Sequence, residues 1–581
     1  MRRHDSVALA AGVTAGLLIA LAAPPFGWWP LGIIGLGILS SALTGAHPSR
    51  RLLVGAGCGI AQYAVGALFV AAFTLAGYVL LVGLEGLLCA LFALLASRGA
   101  LQQLRIVGAV ILLEWVRDHW PVGGMPIGGV AIGQSGGPLL ALTRIGGPLL
   151  MVAAAAVLGA GGASSLGRRY RSRHPPRLRD ALGGLGSLGG VALAVTLASV
   201  APNGSPEAGS LRAAIVQGGG RRGLTSLEQP VSTALAATIA ETSRVAPRRV
   251  AVVLWPEDVV SLGGPLAGSP AERALGALAH HLDATLLAGV TALVGQHHFT
   301  NALVAITPNG RIAASDEKAH PVPFGEYVPF RGVLQHVVNL AAVPRDMVVG
   351  HGSGLLRTPA GPLGALISYE DFFPGRGRSA VRAGGRALVV ATNTASYATS
   401  EIPGQELAAS RIQAVAEGRY LLQAATVGVS AVIAPSGAVL WRSELGVPAT
   451  LTTTIPLRRG ATLYEQFGNV PTLGLAALAL ATGVPLLAVR RRRRQRRHDR
   501  VAALPARALA ANEEHLVEDE VLRQPHHAVG SEIAELNKDR LHLVALREVH
   551  GLTARQADDE SRQHEADEGD HPERDDLPPQ V

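Results

Sequence analysis

Two cysteines and two lysines are all that this 581-residue chain contains of either type. Cys58 and Cys89 both fall inside apolar runs. A disulfide framework or a thiolate zinc site is therefore excluded, and the stretch from 202 to 469 has no thiol at all. Lysine is almost as scarce. The chain has 51 Lys plus Arg, of which only Lys318 and Lys538 are lysine. Where positive charge is needed elsewhere, arginine supplies it. A lysine kept at 318 points to a site that needs a compact ammonium with three rotatable donors, which a rigid guanidinium fork does not replace. An ordinary surface lysine is the plainer alternative. Aromatic residues make up 4% and charged residues 16%, against 48% hydrophobic content. That balance excludes one soluble domain and fits a membrane protein carrying a globular module.

Apolar runs lie at about 7–23, 30–46, 52–73, 75–97, 104–116, 138–163, 184–201 and 470–489. Most approach the ~20 residues needed to cross ~30 Å of hydrocarbon. About eight spans are expected, with the run near 104–116 short and pressed by Glu114 and Arg117. Arginines set the orientation. Arg2 and Arg3 precede the first span, Arg50 and Arg51 follow the second, and Arg98 and Arg105 flank the loop after the fourth. Arg168 to Arg179 crowd the loop after the sixth, and Arg490 to Arg497 follow the eighth. Every second loop is basic, so both termini are expected in the cytoplasm and residues 202–469 outside it. The net charge of +8 then faces anionic lipid, and nothing in the pattern asks for nucleic acid. The N-terminus is expected to be an uncleaved anchor, since no small-residue cleavage site follows its apolar stretch.

After Pro202 the periodicity changes. Strands are expected at Leu211–Gln217, Val250–Trp255, Thr285–Val290, Asn301–Thr307, Arg311–Ser315, Gly364–Ser368, Ala387–Thr392, Leu421–Thr426 and Ser430–Ala434. A helix is expected near 228–244, with further helical patterns between several strands. This alternation indicates an α/β or α+β sandwich of residues 202–469. Residues 470–489 form the last span. Residues 490–581 are expected to be a polybasic stop followed by a mostly disordered cytoplasmic tail, with one helix near 529–549. Histidines such as His526 and His527 are read as part of that solvated tail, and no metal or cofactor is expected.

Three places in the sandwich have a chemical pattern. Glu257 ends an apolar strand after Trp255-Pro256; a carboxylate losing hydration beside an indole has the raised pKa of a general base. An N-cap or surface acid is the alternative. Lys318 is the second place. At the third, Leu366-Ile367 runs into Ser368-Tyr369-Glu370-Asp371. A strand entering a turn there presents a side chain and the next backbone N–H to a pocket, as a nucleophile with part of an oxyanion hole requires. A buried or capping serine is the simpler reading of Ser368 alone.

Together the three resemble the nitrilase superfamily, whose catalytic set is Glu, Lys and a nucleophilic Cys on an αββα sandwich. More narrowly, residues 7–489 are similar to the apolipoprotein N-acyltransferase family. The similarity rests on Pro24-Pro25-Phe26-Gly27-Trp28-Trp29-Pro30, Glu114-Trp115-Val116-Arg117, Trp255-Pro256-Glu257, Lys318 with Pro323-Phe324-Gly325-Glu326-Tyr327-Val328-Pro329, Ser368-Tyr369-Glu370 and Glu417-Gly418-Arg419. The resemblance implies a multi-pass bacterial inner-membrane enzyme with an extracytoplasmic nitrilase-like domain. It implies Glu257 as base, Lys318 and the Tyr369 N–H at the oxyanion, position 368 as nucleophile, and Glu326, Tyr369 and Glu370 as supporting groups. It further implies a membrane phospholipid as acyl donor and the N-terminal amine of a diacylglyceryl-modified apolipoprotein as acceptor, through an acyl-enzyme.

One departure stands out: the family's nucleophile is cysteine, and here it is Ser368. A hydroxyl is a weak nucleophile until a base takes its proton, and Glu257 is placed in the pattern to do so. Two other readings stay open at this point. One is a catalytically lapsed member that binds lipid or scaffolds a partner, which the serine favours. The other is a membrane-tethered nitrilase-like amidase, against which the apolar spans argue.

Overall fold

In the computed structural model, residues 3–482 are described apart from 73, 100, 172–177, 221–230, 337–339, 341 and 342. The expected tail helix, His526, His527 and the polybasic run lie outside these residues, as does the end of the eighth apolar run. So do the side chains of Arg168 to Arg179.

Helices run through each apolar run as far as its residues are described. They are α1 (Arg3–Ala22), α2 (Trp29–Leu43), α3 (Pro48–Gly66), α4 (Leu75–Ala93), α5 (Gln102–Arg117), the short α6 (Val130–Gln134), α7 (Thr143–Arg171) and α8 (Leu178–Val200). Among the described residues three segments, His4–Ala22, Leu75–Ala93 and Pro138–Ala163, are long and apolar enough to cross a membrane. Close backbone approach holds the first helices together. A Cβ on Gly12 or Gly16 of α1 would fall on the backbone of Val54 and Cys58 in α3. This is the small-residue packing by which helices associate where water supplies no drive.

The run at 138–163 differs from a simple span. A 3₁₀ turn at Pro138–Leu142 precedes α7, and α7 itself breaks at Gly146 and Gly147, where φ of Gly147 is +69°. The Tyr464 ring occupies the space a Cβ on Gly147 would need, and Pro148 supplies no amide hydrogen there.

The sandwich follows: β1 (Asn203–Gln217), α9 (Val231–Thr242), β2 (Val252–Leu254), β3 (Val260–Leu262), α10 (Pro270–Leu282), β4 (Thr285–Val294), β5 (His298–Ile306) and β6 (Ile312–Glu317). Next come α11 (Arg331–Leu334), β7 (Asp346–Met347), β8 (Leu355–Thr358), β9 (Gly361–Ile367), α12 (Pro374–Arg382), β10 (Leu388–Thr392) and α13 (Ile402–Glu417). Then β11 (Leu421–Ala425), β12 (Ala431–Ile433), β13 (Val439–Arg442) and β14 (Ala449–Thr462) lead through α14 (Leu463–Phe467) to α15 (Val470–Ala481).

One sheet runs β14-β1-β2-β4-β5-β6 and the other β13-β12-β11-β10-β9-β8. β1, β2 and β4 are mutually parallel, as are β9, β10 and β11. Their facing sides bury Ile215, Leu254 and Leu303 against Ile367, Val389 and Leu422. Truncating one such side chain to alanine costs about 2–5 kcal/mol. Outside, α9 and α10 cover the first sheet through Leu235, Leu275, Ala279 and Leu282, and α12 and α13 cover the second through Val381, Leu407 and Ala414. The layers are α, β, β, α. The α13 layer in turn packs on the apolar helices, with Ile402, Ala409 and Ile412 in one core with Leu139, Leu149 and Val152.

Candidate active site

Parallel strands in layered α/β folds gather functional groups at their carboxyl ends, and this sandwich does so from both sheets. Glu257 lies three residues past β2, Lys318 directly past β6, and Ser368 directly past β9. β10 pairs in register with β9, Ala391 opposite Ile367, so Asn393 emerges beside the Ser368 turn.

Glu257 is 4% exposed and Lys318 1% exposed. Lys318 Nζ donates to Glu257 Oε1 and to Glu326 Oε1, each at 2.8 Å. Asn301 Nδ2 donates to the same two oxygens at 2.8 and 3.1 Å. The second Glu257 oxygen accepts the Asn393 backbone N–H at 3.0 Å, and Glu326 Oε2 accepts the Val322 N–H at 2.8 Å. Trp255, fully buried, is fixed by its indole N–H on Thr242 Oγ1 at 2.9 Å. Burial pushes the Glu257 carboxyl above its ordinary range, and Glu326 adds to the rise against the pull of Lys318. Burial alone would lower Lys318, but Glu257 and Glu326 outweigh it and the ammonium is held charged. A charged lysine beside a carboxylate of raised proton affinity suits proton transfer next to a developing oxyanion.

Ser368 stands at φ +51°, a left-handed conformation that non-glycine residues rarely adopt. It opens the 3₁₀ turn Ser368–Phe372 straight out of β9. Such strain persists only where the surroundings enforce it, and it clusters at functional turns. Glu370 is the enforcing group. Its two oxygens accept the Ala319 N–H at 2.6 Å and the Ile367 N–H at 2.9 Å. It thereby ties the Lys318 loop to the residue before the serine. Arg376 Nε lies 3.2 Å from Glu370 and His320 Nδ1 3.9 Å. Burial pushes Glu370 up, but His320, Arg376 and these two amides outweigh it and leave its pKa low.

Of the two carboxylates expected as supporting groups, Glu326 touches the lysine. Glu370 faces Arg376 and His320 instead. Among the described residues the Ser368 hydroxyl makes no hydrogen bond, and it is only half-buried, whereas Tyr369 and Glu370 are buried. No group of three or more His, Cys, Asp or Glu suited to a metal occurs among the described residues.

Residues that sequence reasoning did not single out complete the site. Asn301 and Asn393 bind Glu257, and Arg376 pairs with Glu370 and, closely, with Asp316. Asn301 opened an expected strand, but nothing in its neighbours said that its amide would face two carboxylates from other loops.

Residues 15–161 match the family profile described as apolipoprotein N-acyltransferase N-terminal domain, and residues 212–464 match carbon-nitrogen hydrolase. An apolipoprotein N-acyltransferase from Azotobacter vinelandii is 30% identical over 523 residues, covering 85% of this chain and 96% of its own length. One from Mycolicibacterium smegmatis is 29% identical over 517 residues, covering 83% and 84%. One from Methylococcus capsulatus is 27% identical over 525 residues, covering 86% and 99%.

Proposed function

The chain belongs to the apolipoprotein N-acyltransferase family, and from that premise we propose that Ser368 carries the acyl group between donor and acceptor. As a family member it is an N-acyltransferase that acts in lipoprotein maturation, with phospholipid and lipoprotein as its substrates.

In the first half-reaction Ser368 Oγ attacks an ester carbonyl of a phospholipid while Glu257 takes the hydroxyl proton. Lys318 and the Tyr369 N–H stabilise the oxyanion. The carbonyl–oxygen bond to glycerol breaks, and Glu257 returns the proton to the leaving lysophospholipid. In the second, the neutral α-amine of a diacylglyceryl-cysteine attacks the Ser368 ester. With a pKa of about 7.7–8.0 this amine is partly unprotonated at neutral pH. Glu257 accepts a proton from nitrogen and passes it to Ser368 as the acyl–oxygen bond breaks.

The observation that carries this reading is the Glu257–Lys318–Glu326 cluster, with Glu257 and Lys318 buried and Glu326 half-buried, beside a left-handed, half-exposed serine. A lapsed enzyme has no need to keep a buried ammonium between a buried and a half-buried carboxylate, an arrangement costly in itself. Incubation with phospholipid tests it: an acyl group should appear on the peptide containing Ser368, resistant to neutral hydroxylamine as an oxygen ester.

The reading includes about eight spans, seven within residues 1–201 and one at 470–489, with residues 202–469 extracytoplasmic and both termini cytoplasmic. Residues 490–581 then form a basic stop and tail on the cytoplasmic side, and the arginine loops meet anionic lipid there. The alternating arginines support this orientation.

A further inference from the structure

We propose that the loop after α5, residues 118–129, is a positioning element for the oxyanion site, held in shape by a charge cluster buried among the apolar helices. The inference rests on the reading of Ser368 as acyl carrier.

Glu85, near the middle of the apolar α4, is fully buried, as is Arg117 at the end of α5. Arg117 Nε donates to Glu85 Oε2 at 2.8 Å, its Nη1 pairs with Glu114, and its guanidinium lies 4.8 Å over the Tyr63 ring. Charges inside an apolar bundle are expensive and mark a function by default. The function legible here is to fix one loop at both ends. A cluster carboxylate holds its far end, where Val130 N–H donates to Glu114 Oε2 at 2.8 Å, and the backbone carbonyl of Arg117, whose side chain the cluster fixes, accepts the Met125 N–H at 2.7 Å.

Between these anchors Val122, Gly123 and Gly124 all take positive φ, at 49°, 90° and 108°. Two of their carbonyls accept from tyrosines of the catalytic sandwich. Tyr369 Oη donates to Gly124 O at 3.0 Å, and Tyr327 Oη donates to Val122 O at 2.8 Å. Tyr369 supplies the backbone N–H next to Ser368. Tyr327 follows Glu326, which holds Lys318. Each half of the oxyanion site thus has one tyrosine on the same loop, so the apolar helices and the chemistry are joined through two phenols.

The test uses the full chain in phospholipid mixed micelles, with a phospholipid carrying a fluorescent acyl chain, and follows acylation of Ser368. Tyr369→Phe keeps the ring and removes the hydrogen bond, and Gly124→Ala distorts the loop at a left-handed position. Each should slow acylation about tenfold, the scale of one lost hydrogen bond, with KM for phospholipid unchanged. The double variant should be no slower than either single one, because both act through one contact. Tyr327→Phe should slow acylation independently of Tyr369→Phe. If Gly124→Ala fails to insert, Glu114→Gln perturbs the loop through its other anchor and enters the same cycle. A hundredfold, additive loss in the double variant overturns the proposal, as does a loss that only tracks a lowered Tm. Absence of any adduct in the wild type is a different failure and refutes Ser368 as acyl carrier.

Discussion

Lys318 Nζ donates to Glu257 Oε1 at 2.8 Å with both side chains almost wholly removed from water. The ammonium donates to two carboxylates, so its three N–H groups meet two acid partners, and the proposed mechanism uses the third for the substrate oxygen. A guanidinium keeps the charge but is larger and planar. Lys318→Arg is therefore expected to lower acylation of Ser368 by about 10²–10³-fold, the cost of losing an oxyanion donor. Expression and membrane insertion should be normal. Near-normal turnover would show that the ammonium does not contact the reacting oxygen.

The pH dependence follows from the same cluster. Glu257 must be unprotonated to act as base, and burial together with Glu326 raises its pKa. Activity should therefore rise with pH along an acid limb placed above the ordinary carboxylate range. Removing the Glu326 charge removes part of the rise, so Glu326→Gln should move that limb to lower pH. A limb that stays put, or moves up, in a kcat/KM profile would rule out Glu257 as the titrating base.

Ser368 differs from the family's cysteine by one atom. Ser368→Ala should abolish the adduct, and Glu257→Gln should slow its formation by about 10²–10⁴-fold through loss of the base. Ser368→Cys should work at least as well as the native residue and give a hydroxylamine-sensitive thioester. An adduct in Ser368→Cys but not in wild type would mark a lapsed enzyme with a preserved pocket. Full lipoprotein N-acylation in Ser368→Ala would remove residue 368 from the mechanism.

Orientation is checked by labelling single cysteines in a Cys58- and Cys89-free background. Gln296→Cys should react with a membrane-impermeant maleimide from outside, and Ser49→Cys only after the membrane is opened. The reverse pattern would refute an extracytoplasmic site.

Glu406, 1% exposed, shows a linkage to stability. Burial pushes its carboxyl up to about 8, against a hydrogen bond from Thr392 Oγ1 at 2.5 Å. The folded state thus holds a proton that the unfolded chain releases near 4.5. Its contribution is full below that value and is lost as pH rises toward 8. Glu406→Gln, a permanently neutral mimic, should raise Tm at pH 8 and leave it nearly unchanged at pH 4, below the unfolded value. Equal Tm differences at both values would refute the linkage.

The sequence by itself determined where the apolar helices lie, because a run of that length has few other places to go. It also determined most sandwich strands, whose apolar residues lie between turn residues. The strand β14 was not legible. Thr452, Thr453 and Thr454 blur its alternation and Pro456 argues against a strand, yet β14 lies at a sheet edge, where proline is tolerated. The break at Gly147 was equally hidden, since only the Tyr464 ring, more than three hundred residues away, requires it. In the site, the scarcity of lysine and the strand-end positions of Glu257 and Ser368 singled out three groups from separate loops. What each supporting carboxylate, Glu326 or Glu370, holds was open, the two standing eight and fifty-two residues past Lys318. Tertiary structure alone decided it, because hydrogen-bond partners follow distance in space: the sandwich turned Glu326 onto the ammonium and Glu370 onto the amides of Ala319 and Ile367.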